Sequence, residues 1–306
     1  MQKHEVAIVL INYNSNQDTI DAVRSIQLSE GINLPFIVVV DNNSKNKTIE
    51  SDLNFYPDLK VIYNAENIGF GRANNLGIDW VFNNIISSYI FILNNDTIVQ
   101  PGTIKTLMNG FDNADPNVAM TTPEILVYDN LDEIWYGGGD INYRRMTPTI
   151  SAHISSTYTE FASGCAMFFK ADALKSIKGF DPFFFMYDED VELSIRLQQM
   201  GMKILYLPSS VIYHKCQGSQ VKTDNVPSNQ LDPKHPSLLF YLRNTIPNRK
   251  YIINKHLKGF DRISAHTYHS IYWLMKSAQY LLNGKTDAFY SVIRHLISKT
   301  KNQING

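Results

Sequence analysis

Apolar residues along this chain switch repeatedly between unbroken runs and three-to-four spacing. Val6–Ile11 (VAIVLI), Phe36–Val40 (FIVVV), Leu59–Tyr63 and Tyr89–Leu93 (YIFIL) are short and largely apolar, and the first, second and fourth are unbroken. That is the pattern of strands buried on both faces of a parallel sheet. Between them, Ile20, Val23, Ile26 and Leu28 recur at helical spacing over 17–29, and Ala73, Leu76, Ile78 and Trp80 over about 71–85. A further helix is predicted from Pro101 to Phe111. The alternation of strand and helix predicts an α/β fold with a doubly wound, mostly parallel sheet flanked by helices.

The pattern loosens from 115 to 160, with a strand at Val118–Met120 and a turn or cover at Gly137–Asp140. The small residues Ser163–Cys165 lead into a strand ending at Phe169, and a helix follows over Ala171–Ile177. The segment 188–200 (DEDVELSIRLQQM) alternates like a strand at Val191, Leu193, Ile195 and Leu197. Its length, its Glu, Leu, Arg and Gln content and the Gly201 stop assign it to a helix. Strands are predicted at 203–207 and 211–214. Residues 219–235 are polar and aperiodic with two prolines, the composition of a mobile loop or linker. Helical spacing returns over 237–256 and about 264–299. The chain therefore divides into a domain over 1–230 and a helical extension over 231–306.

Charge sharpens that division. The net charge of −1 conceals 16 Lys and Arg against 27 Asp and Glu up to Pro233, then 12 against 2 beyond it. A body of −11 thus carries a tail of +10. Such a tail calls for an acidic partner, and without a nucleic-acid motif the candidates are lipid headgroups or a phosphorylated acceptor; solvated helix faces are the plainer explanation. The apolar positions of the tail also suit packing on the body or a homodimer contact. Two cysteines, Cys165 and Cys216, form no framework and fit a reducing compartment. No apolar run approaches the roughly 20 residues that span a bilayer, and the chain enters its first strand without a signal peptide. A cytoplasmic protein at the inner face of the membrane is expected.

The candidate chemistry lies at the strand ends. Four consecutive strands run into Asn12-Tyr13-Asn14-Ser15-Asn16, Asp41-Asn42-Asn43-Ser44, Asn64-Ala65-Glu66-Asn67 and Asn94-Asn95-Asp96-Thr97. Ligands of open α/β sheets gather beyond the carboxyl ends of strands. Amides placed there can read a base or ribose, and carboxylates can hold ribose hydroxyls or a hard cation. Each loop alone is also ordinary turn chemistry; the recurrence carries the argument.

The motifs IVLINYNS (8–15), VVVDNNS (38–44), NAENIGFGRANNLGI (64–78), FILNNDT (91–97), SGCAMFFK (163–170), GFDPFFFMYDEDVELSIRL (179–197) and IYHKCQGS (212–219) occur in an order that resembles the family 2 glycosyltransferases of the GT-A fold, particularly bacterial rhamnosyltransferase-like members. The resemblance spans about residues 6–220. It implies inverting transfer of a sugar from a nucleotide-diphosphate donor, dTDP-rhamnose or a UDP-hexose, to a glycan or lipid-linked saccharide acceptor in surface-polysaccharide synthesis. By that resemblance Asn12, Tyr13 and Asp41 hold base and ribose. Asn67 and Arg72 line the nucleotide, beside Asn94 and Asn95. Asp96 and His214 hold a divalent metal, Mg²⁺ or Mn²⁺. The family's Asp-any-Asp motif here begins with Asn94, which leaves Asp96 as the main carboxylate ligand. Asp190 matches the catalytic base, with Glu189 as its competitor, and Arg243 is a candidate for the diphosphate. A sugar nucleotidyltransferase would need a Gly- and Arg-rich loop near the N-terminus, where NYNSN stands. A non-catalytic sugar-binding protein would not need Asp96, Asp190 and His214 together. A dehydrogenase would need G-x-G-x-x-G after the first strand, and it is absent.

Overall fold

The computed structural model describes residues 1–112, 114–216 and 236–298. Its elements in chain order begin with β1 (Gln2–Asn12), α1 (Asn16–Gln27), β2 (Phe36–Asp41), α2 (Ile49–Asp52), β3 (Leu59–Tyr63), α3 (Phe70–Asn84) and β4 (Ile85–Asn94). The short β5 (Thr97–Val99), α4 (Thr103–Asn109), β6 (Val118–Val127), β7 (Asn130–Tyr136), β8 (Gly139–Asn142), β9 (Thr147–Ile150) and β10 (Thr157–Thr159) follow. Then come β11 (Ala166–Lys170), α5 (Ala171–Ser176), α6 (Glu189–Gln199), β12 (Lys203–His214), α7 (Pro236–His256), α8 (Gly259–Leu282) and α9 (Thr286–Ile297).

The elements fall into two compact units. In the first, a ten-stranded sheet has the order β10-β12-β6-β11-β4-β1-β2-β3, with β5 on β12 and β7 on β6. Strands β3, β2, β1 and β4 are mutually parallel, in register from Asn12 opposite Asp41 to Ile11 opposite Asn94. Ala7 through Leu10 are fully buried, as the unbroken apolar run requires. Beyond β4 the sheet is mixed: β11 runs antiparallel between β4 and β6, while β6 and β12 are parallel. The expected parallel character therefore describes the four strands on the β3 side of β11. Helix α3 lies on the Val9–Val40 face, where a Cβ on Gly77 would stand 2.5 Å from Val9 Cγ1. The cluster on this face also draws on α5 and α6, through Leu174, Leu193 and Leu197. Helix α1 covers the opposite face, where the Thr19 hydroxyl donates to Asn12 Oδ1.

Several boundaries differ from the sequence expectation. Residues 130–159 form strands β7 to β10, and Gly139–Asn142 is a strand rather than a turn. These strands are short and mostly exposed, so they lack the apolar pattern that marks a strand in sequence. Strands 203–207 and 211–214 are one strand with a register shift between Leu207 and Val211. The helix over 101–111 is confined to Thr103–Asn109. The helix over 264–299 is two, parted at Asn283-Gly284, where Gly284 adopts φ +70°.

The second unit contains α7, α8 and α9 together with Ile141–Thr149 and Phe183–Asp188, segments that a division at residue 230 leaves with the first domain. Its apolar cluster joins Leu238, Leu242 and Ile246 of α7 to Trp273 and Tyr280 of α8 and Ala288 and Val292 of α9. Within this unit Asn248 Nδ2 donates to the carbonyls of Met186 and Tyr187, and Arg249 pairs with Asp188. Tyr187 and Asp188 both have positive φ, +70° and +64°. A left-handed tyrosine is costly, and the Asn248 and Arg249 bonds hold that backbone in place. Among the described residues, no helix is long and apolar enough to cross a membrane. The predicted loop at 219–235 lies outside the described residues.

Candidate active site

The parallel register brings the polar strand ends into one hydrogen-bonded rim. Asn12 Nδ2, fully buried, donates to Asp41 Oδ2 at 2.8 Å and to Ser44 Oγ at 3.2 Å. Asp41 also accepts from the Ser44 N–H at 3.0 Å and from Lys47 Nζ at 2.8 Å. Burial alone would raise the Asp41 carboxyl; its bonds from Lys47, Ser44 and Asn12 outweigh that and hold its pKa below the ordinary value. Asn14 and Asn43 have φ of +56° and +69°, a conformation asparagine tolerates better than most side chains. Turn chemistry and site chemistry are thus both present in these loops.

The second and third strand ends are tied through Asn42. Its Oδ1 accepts from Asn64 Nδ2 at 3.0 Å and from the Ile68 N–H at 3.1 Å. Its Nδ2 donates to Asn67 Oδ1 at 2.8 Å, and that oxygen also accepts the Gly69 N–H. Asn67 therefore helps fix the entry to α3. Arg72, one turn into that helix, donates through Nε to the Pro182 carbonyl at 2.7 Å. Tyr13, beside Asn12, is 43% exposed. Asn95 is anchored on α1 instead: its Nδ2 donates to Ser15 Oγ at 2.7 Å and Thr19 Oγ1 at 2.8 Å.

Asp96 and His214 meet across the sheet. Strand β12 pairs antiparallel with β5, placing His214 opposite Thr97, and His214 Nε2 lies 3.1 Å from Asp96 Oδ1. Both are buried. The other ring nitrogen, Nδ1, faces Cys216 Sγ at 3.3 Å, and the Trp135 ring stands edge-on at 4.7 Å between centroids. Burial by itself disfavours a charged His214; its interactions with Cys165, Asp96 and Cys216 outweigh that and raise its pKa above the ordinary value. Burial pushes the Cys165 thiol up. Next to this pair, the Lys215 N–H donates to the Asp96 carbonyl, and Lys215 Nζ reaches Asp21 and Asp18 of α1 at 2.7 and 3.0 Å.

Asp190 is joined to the same region through the turn before β11. Its Oδ2 accepts the Gly164 N–H at 2.9 Å, and its Oδ1 accepts the Val191 N–H at 2.8 Å. The next residue, Cys165, accepts the Asn94 N–H through its carbonyl at 2.8 Å. A Cβ on Gly164 would lie 3.4 Å from that of Asp190, so the turn and the start of α6 are in close contact. Glu189 is buried at the start of α6, with its Cβ on the Gly71 side near α3. Arg243 is on the exposed side of α7 in the second unit and is not among the residues that the first unit brings together. Ser44, Lys47, Asn42, Cys165 and Lys215 are parts of the rim that single-residue reasoning passed over. For Ser44 and Asn42 the signal was their place in a strand-end motif; Lys215 lay beside His214.

An aspartate oxygen and a histidine nitrogen at 3.1 Å make a donor pair suited to Mn²⁺ or Mg²⁺, the imidazole favouring the former. Among the described residues no set of three or more His, Cys, Asp or Glu side chains could hold a metal, so the remaining ligands of such an ion would come from a bound diphosphate and water.

Comparison with known proteins identifies the family. Residues 4–226 match the model of the family described as Glycosyltransferase like family 2, and the chain belongs to that family. It is 24% identical over 241 residues to the N-acetylglucosaminyl-diphospho-decaprenol L-rhamnosyltransferase of Mycobacterium tuberculosis, covering 67% of this chain and 74% of that one. It is 23% identical over 198 residues to rhamnosyltransferase WbbL of Escherichia coli K12, covering 58% and 72%. Among solved structures, GalNAc-T7 with UDP, GalNAc and Mn²⁺ superposes with a TM-score of 0.59 at 18% identity, over 91% of this chain and 58% of that one. The mannosyltransferase PcManGT from Pyrobaculum calidifontis, with GDP-Man and Mn²⁺, gives 0.54 at 14% identity, over 96% and 74%. These structures share the GT-A fold, and the chain is a glycosyltransferase of that fold.

Proposed function

We propose that this glycosyltransferase transfers a sugar, with inversion, from a nucleotide-diphosphate donor to a hydroxyl of a lipid-linked saccharide or growing polysaccharide. The observation that carries this reading is the Gly164-Cys165 turn, which contacts Asp190 on one side and Asn94 on the other. A candidate base and a candidate metal corner are thereby neighbours. The rhamnosyltransferase relatives favour dTDP-rhamnose as donor, with a UDP-hexose as the alternative. The name of one relative, with its diphospho-decaprenol, favours a lipid-linked acceptor.

In this reading Asn12, Tyr13 and Asp41 take the base and ribose, with Asn67 and Arg72 lining the nucleotide. Asp96 and His214 would hold the divalent ion, which when bound offsets the charge of the leaving diphosphate as a Lewis acid. Asp190 takes the proton of the acceptor hydroxyl as that oxygen forms its bond to the anomeric carbon and the carbon–oxygen bond to the diphosphate breaks. A carboxylate within about 3 Å of the hydroxyl serves this role. The hydrogen bonds from the Gly164 and Val191 N–H groups fix the position of that carboxylate. Glu189, buried toward α3, is less well placed. Function at the inner face of the membrane follows from a lipid-linked acceptor and the basic tail. The test is incubation with candidate nucleotide sugars, Mn²⁺ and a lipid-linked saccharide acceptor. Sugar-extended product and free nucleoside diphosphate are expected; no product with any donor would overturn the reading.

A further inference from the structure

Helix α8 has two apolar faces. Ala265, His269, Trp273, Ser277 and Tyr280 lie on the one that is buried. On the opposite side Phe260, Ile263, Ile271, Leu274, Met275 and Leu282 are between 50% and 88% exposed. At 100° per residue these six fall within an arc of about 120°, along a helix about 36 Å long. The residues between them on that arc are Ser264, Thr267 and Ala278, and Leu281 lies at its edge; none is charged. A helix that meets only water carries charged or polar residues on its outer face, and a continuous exposed apolar strip marks a surface that meets something else.

The charge of the tail decides the partner. Residues beyond Pro233 carry 12 Lys and Arg against 2 Asp and Glu, and Lys255, Lys258 and Arg262 are exposed around the start of α8. A second copy would bring the same +10 against itself, whereas an anionic surface is attracted. The body carries −11, which confines that attraction to the tail. We infer that the outer face of α8 beds into an anionic lipid surface, with the strip from Phe260 to Leu282 entering the headgroup region and the exposed Lys255 and Lys258, just before the helix, on lipid phosphates. This builds on the lipid-linked acceptor proposed above, because it names the surface on which such an acceptor would be met.

The full chain is sedimented with vesicles of phosphatidylcholine alone or mixed with phosphatidylglycerol, without sugar nucleotides. Binding to the mixed vesicles is expected, weakening as salt rises. Leu274→Glu with Met275→Glu, both at exposed positions, should lower that binding at least about tenfold while leaving the far-ultraviolet circular dichroism unchanged. Absence of binding to the mixed vesicles, equal binding to neutral ones, or unchanged binding by the variant would overturn the inference. So would a wild-type dimer in light scattering that the variant converts to a monomer, since the strip would then be a self-association surface. Transfer to a soluble acceptor is measured in parallel: transfer without vesicle binding sinks the lipid surface alone, and vesicle binding without transfer sinks the catalytic reading alone.

Discussion

Asn12 and Asp41 end two adjacent parallel strands directly opposite one another, and the Asn12 amide donates to the Asp41 carboxylate at 2.8 Å in a fully buried setting. Register has therefore joined two strand-end residues into one buried hydrogen-bonded pair. Asp41→Ala removes one acceptor of the buried Asn12 amide and the acceptor of the Ser44 N–H, at a cost of about 1–3 kcal/mol in stability. It should also weaken nucleotide binding. Thermal melts with and without UDP or dTDP measure both; an unchanged nucleotide-dependent shift would remove Asp41 from the donor site.

The Asp96–His214 pair predicts dependence on a divalent ion. Chelation with EDTA should abolish transfer and Mn²⁺ should restore it. Asp96→Ala should lower Mn²⁺-supported turnover at least about a hundredfold, on the order expected when a metal ligand is lost. Full activity in EDTA would assign the pair a structural role.

Asn42 ties the loop after β2 to the loop between β3 and α3, through its bonds to Asn64, Asn67 and Ile68. Asn42→Ala should raise the KM for donor more than it lowers kcat, because it loosens the loop that opens α3 without touching the proposed base. Steady-state kinetics separate the two parameters, and an effect confined to kcat would contradict this role.

His269 gives the second unit a pH response. Buried, and near the positive charges of Arg249, His266 and Lys250, it has a pKa lowered from 6.5 to about 3, and its Nε2 accepts the Trp273 indole N–H at 3.1 Å. The unfolded chain takes up a proton below pH 6.5 that the folded chain refuses. The stabilisation is therefore whole above that pH and declines as pH falls toward 3, by up to about 1.4 kcal/mol per unit. Denaturant melts across that range should show the slope in wild type and a shallower one in His269→Gln.

The parallel half of this fold was legible because Val6–Ile11, Phe36–Val40 and Tyr89–Leu93 are apolar throughout, a pattern only a doubly covered strand sustains. Strands β7 to β10 were not: Asn130–Tyr136 exposes five of its seven residues, and its pairing depends on β6 rather than on its own periodicity. The site shows the same contrast. Asp41, Asp96 and Asp190 stand out by motif and strand end, whereas the bonds from Asn95 to Ser15 and Thr19 leave no local signal in the sequence. Arg243 matched a charge requirement by sequence alone, and it is an exposed residue of the second unit. Which amide faces a neighbour and which faces the cleft is set by tertiary contacts that no local pattern encodes.

In the proposed reaction Asp190 removes the acceptor proton. Asp190→Asn preserves the size of the side chain and an oxygen for the Gly164 N–H, so the fold and donor site should survive. Transfer is measured alongside donor affinity in the same preparation. A loss of about 10²–10⁴-fold in kcat with donor Kd nearly unchanged is expected; near-full transfer by Asp190→Asn would show that Asp190 is not the base.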